Sequence, residues 1–428
     1  MIVRPAKTIR GRVVMPGDKS LSHRAAMSAA LAKGASRIKS FSSSADCAAT
    51  LSCLSELGVS IERHGNELSV HGVGADGLRA PAGPLDCANS GTTMRLLAGI
   101  LAGQNFTSIL TGDASLRSRP MARIIEPLEM MGARISSDGG RAPLVIEGHR
   151  PLKAIKYELR VASAQVKSCI LFAGLSAKGR TEVVESQATR DHTERMLRWL
   201  AVPLEQGSLS VTVDGPTTLE ARDVSIPGDI SSAAYFIAAA ALLPGSSLEI
   251  MNVGVNPTRV TFIDRLRSFG FEVAVSDVHD ECNEPVGTIR VNGSKSSSES
   301  AALLQGALIP QLIDELPLLA VVGSQIEGGI EIRDAAELRA KESDRIAATV
   351  QNLRAMGAEV EEFTDGLCVP GQTQLRGAEI DPRGDHRIAM AFAVAGLIAK
   401  GETEIKDAEC VAVSFPEFFE LLEAVVER

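Results

Sequence analysis

The chain has 428 residues, 45% of them apolar, enough for two or three buried cores at the usual ~100–200 residues per domain. A net charge of −9 with 4% aromatic residues excludes the basic footprint and stacking platform of a nucleic-acid binder, so an anionic ligand must be caught by a local cluster of cations. Seven cysteines without a CxxC pair suggest neither a disulfide framework nor a zinc site, and the longest apolar run, residues 233–243, is too short to span a bilayer as a helix. The N-terminal stretch MIVRPAKTIRG has no apolar leader core, so a cytoplasmic chain without a membrane segment is expected.

In chain order, one pattern recurs six times. An alanine-rich helix, a glycine near its end and a β-like run appear as LAKGASRIKSF, LAGQNFTSIL, SAKGRTEVVE, LPGSSLEIMN, IEGGIEIRDA and IAKGETEIKD, with marker glycines Gly34, Gly103, Gly179, Gly245, Gly328 and Gly401. Between them lies a second pattern, a helix ending in Leu-Gly or Met-Gly followed by alternating strand residues, as in LSELGVSIERHGNELSVHG and LRAMGAEVEEFTDGLCVPG. Gly58, Gly132, Gly270 and Gly357 mark it, and Ala201 holds the equivalent place in the remaining copy. The sixth helix of this kind, FPEFFELLEAV, runs out of sequence before its strands, which the N-terminal segment IVRPAKTIRGRVVMPG is expected to supply.

The spacing predicts an α/β protein of six helix–strand–helix–strand–strand units, each of roughly 70 residues, too many for one core and so divided into two domains of three. One domain takes residues 1–16 and 228–428 and the other 17–227, with a two-strand hinge near 15–18 and 226–229. Two thin connections would allow the domains to move as bodies.

The chemistry-bearing residues gather where each alanine-rich helix begins: PGDKSLSHR, CANSGTTMR, ASAQVK, PGDISS, IDELP and GDHRIAM. Helix N-termini offer unpaired N–H groups and the positive end of the dipole, so six of them facing one interdomain cleft would favour phosphates and carboxylates. Lys19 stands at the mouth of the first helix, and Ser20 and Arg24, four apart, share a face. Arg95, Arg117 and Arg119 add cations read as lying on turns, and Arg190 and Arg259 hold the equivalent turns of later units. In ELRAKESDR, Lys341, Glu342 and Arg345 fall on one face of a predicted helix, giving two cations and a carboxylate, with Asp314, Glu315, Asp385, His386 and Arg387 at neighbouring helix starts. A carboxylate held among cations can exchange protons with a bound substrate.

On PGDKSLSHRA, NSGTTMR, SAQ, ELRAKESDRI, DHRIAMA and the terminal FPEF, in that order, the chain resembles the enolpyruvyl transferase family over essentially its whole length. The Ser-Ala-Gln motif with Arg190 looks like one branch of it. The resemblance implies two domains of three βαβαββ units each, an inside-out α/β barrel, and transfer of the enolpyruvyl group of phosphoenolpyruvate to the 5-hydroxyl of shikimate 3-phosphate, without metal or cofactor. It implies that Lys19, Ser20, Arg24, Ser163, Ala164, Gln165, Arg190, Asp314 and Lys341 hold shikimate 3-phosphate. Lys19, Gly91, Arg119, Gln165, Arg345 and Arg387 would surround phosphoenolpyruvate. Glu342 is assigned as proton donor to C3 of that substrate, and Asp314, with Lys19, as the group that handles the hydroxyl proton. A monomer with small-molecule substrates, and no nucleic-acid or membrane partner, is expected.

The chain departs from the pattern of many family members at Val413 and Ser414, which precede the terminal Phe-Pro where those members carry a lysine, and at Ala164, where they have a second serine. Two other functions fit these residues less well. The family's UDP-N-acetylglucosamine-using branch relies on a cysteine in the loop equivalent to TGDASLRSRP, which has none here. A non-catalytic anion binder would keep the clamp but have no use for Lys19, Asp314 and Glu342 together.

Overall fold

A helix rich in alanine is thin, and one that is apolar all round must be buried all round. Six helices, most of them alanine-rich, fill the cores of the two units: α1 (Lys19–Leu31), α2 (Gly91–Ala102), α3 (Ala164–Gly174), α4 (Ile230–Leu242), α5 (Leu316–Gly323) and α6 (His386–Ile398). The computed structural model describes residues 1–294 and 302–428. The small side chains let helices approach closely: a Cβ added to Gly99 of α2 would lie 2.1 Å from the Cys169 carbonyl oxygen of α3, so only glycine fits there.

Four of the inner helices, α2, α3, α5 and α6, each join two strands that pair in parallel. In the second unit Leu85–Asp86 precedes α2 and pairs in parallel with Thr107–Thr111, Leu85 opposite Leu110. An amphipathic outer helix and an antiparallel hairpin follow, here Ala122–Met130 and then Arg134–Asp138 with Arg141–Glu147. The hairpin's inner strand pairs with Thr107–Thr111, giving a four-stranded sheet with one face outward. The same plan, helices inside and sheets outside, recurs in the six units.

The chain divides into two units, each with its own hydrophobic core. The inserted unit comprises Gly17–Ile226 with Asp280–Glu284, and the terminal unit comprises Met1–Pro16, Pro227–His279 and Pro285–Arg428. Two details differ from the sequence-based boundaries: Pro227 belongs with the terminal unit, and the five residues at the tip of a later hairpin group with the inserted one. The inserted unit closes on itself, because its last strands, Leu219–Glu220 and Val224–Ser225, run parallel to its first, Ala32–Lys39.

The N-terminal segment divides its work. Ile2–Val3 pairs antiparallel with Thr403–Ile405 and so completes the sixth unit as expected. Thr8–Val14 does not; it lies parallel to Ser247–Gly254 of the fourth unit and takes Val426–Glu427 along its other edge. Its period-two pattern buries Ile9 and Val13 against that core. The inserted unit therefore interrupts a single βαβ element, between strand Thr8–Val14 and helix α4.

The second marker series has one physical cause. Gly58, Gly132, Gly270 and Gly357 have φ of +90°, +107°, +87° and +92°, and Ala201 has φ +60°. Each ends an outer helix with paired Schellman bonds: Gly58 N–H donates to Ser55 O and Val59 N–H to Leu54 O, and Ala201 and Val202 repeat this with Arg198 and Leu197. The first series is less uniform. Gly34, Gly179, Gly245 and Gly401 are left-handed, whereas Gly103 is a helix cap at φ −87° and Gly329, not Gly328, takes the positive φ in the fifth unit. Among the described residues no helix is long and apolar enough to cross a membrane.

Candidate active site

Five of the six inner helices begin with a side-chain cap. Asp18 Oδ1 accepts from Leu21 N–H at 2.9 Å, Ser90 from Thr93, Ser163 from Val166, Asp229 from Ser231 and Asp385 from Arg387. Glu315 at the start of α5 makes no such bond, and a proline follows in the first turn. The polar helix starts are therefore capped helices first, with charged side chains standing beside the caps.

In the inserted unit, Lys19 Nζ lies 2.8 Å from Asp46 Oδ2, both largely buried. Asp46 stands in the first turn of the outer helix Ala45–Glu56. Its backbone carbonyl accepts from Thr93 Oγ1 of α2 at 3.4 Å, so the starts of α1 and α2 are tied together. Ser20 and Arg24 share a face as expected, with Arg24 Nη1 bonding the Ser20 carbonyl at 2.9 Å. Arg24 is only 3% exposed; its Nε donates to Thr193 Oγ1 at 2.7 Å and its Nη2 to Ser168 Oγ at 2.9 Å. Immediately before Arg24, His23 is buried, and burial, then Lys19 and Arg24, hold its pKa well below the ordinary imidazole value.

Gly91 opens α2 between two guanidinium groups. A Cβ built there would lie 2.8 Å from Arg95 Nη1 and 3.3 Å from Arg119 Nη1. Arg95 Nη1 donates to Gln165 Oε1 at 2.6 Å, and Gln165 Nε2 donates to Thr92 Oγ1 at 2.8 Å. Arg119, 5% exposed, is held by Asn89 Oδ1 and the Ser115 hydroxyl. Gly91, Arg95, Arg119 and Gln165 thus form one cluster. The segment before Arg119 is a short helix, Ala114–Ser118, with Arg117 exposed on it, rather than the plain turn expected. Ser163 caps α3 and Ala164 is its first residue; Arg190 is half-buried in the turn before the outer helix His192–Trp199.

In the terminal unit the densest cluster centres on Arg345, 1% exposed. Its Nε bonds Asp385 Oδ2 at 2.8 Å, its Nη2 bonds Glu342 Oε2 at 2.6 Å, and its Nη1 lies 3.5 Å from Asp314 Oδ1. Arg387 Nε lies 3.3 Å from the same Asp314 oxygen, and its Nη1 lies 3.9 Å from Glu315 Oε1. Burial opposes the charge on both arginines, but Asp385 and Glu342 for Arg345, and Asp314 for Arg387, more than offset it and hold both pKa values above the ordinary guanidinium value. Two guanidinium groups therefore face four carboxylates: Asp314, Glu315, Glu342 and Asp385. In this cluster the carboxylates outnumber the guanidinium groups.

The single helical face expected for Lys341, Glu342 and Arg345 does not form. A 3₁₀ turn, Ala336–Ala340, ends before Lys341, which is extended at φ −86° and ψ −155°. Asp344 caps a fresh helix, Arg345–Ala355, by accepting from Ala347 N–H, and a strong cap placed there begins a helix rather than continuing one. Glu342 reaches Arg345 from the connecting loop, and Lys341 Nζ is drawn 3.3 Å from Glu337 Oε1.

Sequence reading missed Asp46 and the hydroxyls of Thr193 and Ser168. Asp46 had one local sign, an acidic residue in a first helical turn, but its partner lies 27 positions away.

Comparison with known proteins covers the chain end to end. The family model described as EPSP synthase (3-phosphoshikimate 1-carboxyvinyltransferase) matches residues 3–422. Proteins of that enzyme name from Koribacter versatilis and Solibacter usitatus are 52% and 49% identical to it, over 100% and 99% of this chain and 99% of each relative. A solved structure of EPSP synthase from Acinetobacter baumannii superposes with a TM-score of 0.87 at 41% identity, covering 99% of this chain and 97% of that one. With sequence and fold agreeing from end to end, the chain belongs to the EPSP synthase family.

Proposed function

We infer that this enzyme transfers the enolpyruvyl group of phosphoenolpyruvate to the 5-hydroxyl of shikimate 3-phosphate and releases inorganic phosphate. The reading rests above all on the family match across residues 3–422.

The division of labour among the side chains is our own assignment. Shikimate 3-phosphate is held by Lys19, Ser20, Arg24, Ser163, Ala164, Gln165 and Arg190, with Asp314 and Lys341 toward its reacting hydroxyl. The Ser163 hydroxyl accepts from Val166 N–H and can still donate its own proton to a phosphate oxygen. Phosphoenolpyruvate is held by Lys19, Arg119, Arg345 and Arg387 through charge-assisted bonds, with Gly91 and Gln165 alongside.

The crowding of carboxylates around Arg345 gives the mechanism a trigger. An incoming substrate anion competes with Glu342 for Arg345 Nη2, now 2.6 Å from the Glu342 oxygen. Displaced from its cation, Glu342 gains proton affinity, so it holds the proton that it is to deliver just as the substrate arrives. The 5-hydroxyl oxygen then bonds to C2 of phosphoenolpyruvate while Glu342 delivers a proton to C3, forming a tetrahedral intermediate. Asp314, with Lys19, takes the hydroxyl proton. In the second step the C2–O bond to phosphate breaks, C3 returns its proton to Glu342, and the leaving phosphate takes a proton from Asp314. Atoms and charges balance, and each carboxyl group ends as it began.

The test is phosphate release by purified protein given both substrates, repeated with each omitted and with chelator present. Release that needs both substrates and ignores the chelator supports the reading. Release from phosphoenolpyruvate alone, or none with both, overturns it.

A further inference from the structure

The inserted unit buries one lysine outright, away from the residues assigned to substrate. Lys167 of α3 is 1% exposed, with its Nζ 2.9 Å from Glu185 Oε2 and 2.7 Å from Glu194 Oε1, and both carboxylates are buried. Removing such groups from water is costly, and apolar side chains of similar volume are often as stable. Core stability alone therefore does not account for the triad.

Its neighbours do. Glu185 accepts a hydrogen bond from the Thr189 hydroxyl, and Thr189 immediately precedes Arg190. Glu194 immediately follows Thr193, whose Oγ1 accepts from Arg24 Nε at 2.7 Å. Ser168, next to Lys167 on α3, accepts from Arg24 Nη2 and lies 2.6 Å from Thr193 Oγ1. One ammonium group thus ties α3 to the turn carrying Arg190 and to the helix that holds Arg24.

We infer that Lys167 is a positioning residue for shikimate 3-phosphate, fixing Arg190 through Glu185 and Thr189, and Arg24 through Glu194 and Thr193. The inference rests on the reading that Arg24 and Arg190 contact that substrate. Burial pushes the Glu194 carboxyl up, with Lys167 opposing, so Glu194 holds a proton more readily than a solvated carboxyl does. With that proton the triad is neutral, and it adds no repulsion toward an anionic ligand.

Lys167→Met alone would strand two buried carboxylates, so the informative variant is Lys167→Met with Glu185→Gln and Glu194→Gln, which leaves no charge in the triad. Thermal melting establishes that it is folded; calorimetric titration with shikimate 3-phosphate and steady-state kinetics then read the effect. The dissociation constant for shikimate 3-phosphate should rise about tenfold or more, a loss of about 1.4 kcal/mol, while KM for phosphoenolpyruvate stays within about twofold. If the triple variant does not fold, Glu185→Gln and Glu194→Gln singly, each leaving Lys167 one carboxylate, carry the same test with smaller losses expected. Arg24→Lys and Arg190→Lys serve as references. If they weaken shikimate 3-phosphate binding while the folded triad variant binds as the parent does, Lys167 is not a positioning residue. A loss spread equally over both substrates and kcat marks a general structural role and overturns the inference too. If neither arginine variant changes affinity for shikimate 3-phosphate, the reading beneath has failed, and this inference falls with it.

Discussion

Arg345 holds Glu342 at 2.6 Å, so the carboxylate assigned as acid and the anion that it serves compete for one guanidinium. Glu342→Gln keeps the hydrogen-bonding shape and removes the acid; kcat should fall by about 10²–10⁴, with KM for phosphoenolpyruvate unchanged or lower because the competing charge is gone. Near-normal turnover by rapid-quench assay would remove Glu342 from the mechanism. At Gly91 an added methyl must push aside Arg95 Nη1, 2.8 Å away, and Arg119 Nη1, 3.3 Å away. Gly91→Ala should therefore raise KM for phosphoenolpyruvate by about tenfold, on the order of 1.4 kcal/mol, and leave affinity for shikimate 3-phosphate nearly intact. His23 supplies a pH dependence. Its folded pKa is lowered by burial, so below about pH 6.5 the unfolded chain binds a proton that the folded one resists, and stability falls with pH by up to about 1.4 kcal/mol per unit. Urea unfolding at pH 7 and pH 5.5 should show a larger drop for the parent than for His23→Gln. Equal drops would mean that His23 does not titrate in this way.

At the scale of elements, the outer-helix termini were legible because a left-handed residue leaves a mark in sequence. Gly58, Gly132, Gly270 and Gly357 stand where the Schellman turn needs positive φ, and Ala201 takes φ +60° there despite its Cβ. Ala201→Gly should stabilise the inserted unit by about 1 kcal/mol, raising its melting temperature by roughly 2–4 °C in calorimetry. No gain would mean that the surrounding fold already relieves the strain. What failed at this scale failed through competition between local signals. The i, i+4 spacing in ELRAKESDR suggests one helix, but Asp344 is a better cap than an interior residue, so the helix begins at Arg345. Likewise the N-terminal segment reads as one supplier of strands to one unit. It serves two, because nothing in its alternation specifies which sheet edge each half will meet. The pairings of Lys19 with Asp46 and Lys167 with Glu194 were out of reach for the same reason: periodicity reports which face a residue takes, not which partner a distant segment brings to it.

For the whole molecule, the six-fold repetition was the most legible feature, since each unit repeats a helix, a marker and a strand in fixed order. The two units carry separate cores and different charge: cations outnumber carboxylates among the inserted unit's helix-start residues, and carboxylates outnumber cations around Arg345. Hydrogen exchange followed by mass spectrometry should separate their roles. Shikimate 3-phosphate alone should slow exchange at the starts of α1 and α3 and around Arg190, and adding phosphoenolpyruvate should extend protection to the start of α6 and to helix Arg345–Ala355. Protection confined to the terminal unit with shikimate 3-phosphate alone would contradict the assignment.

The interrupted βαβ element sets an order of events during synthesis. Residues 17–226 leave the ribosome with nearly all of the inserted unit's strands in hand, including the pair that closes its sheet. Thr8–Val14, made earlier, must wait for Ser247–Gly254 on one edge and for Val426–Glu427, far later in the chain, on the other. At about 5–20 residues per second that strand stays unpartnered on its second edge for tens of seconds. The Thr8–Val14 strand is therefore a part of the nascent chain in particular need of a chaperone, because it is made long before either of its partners.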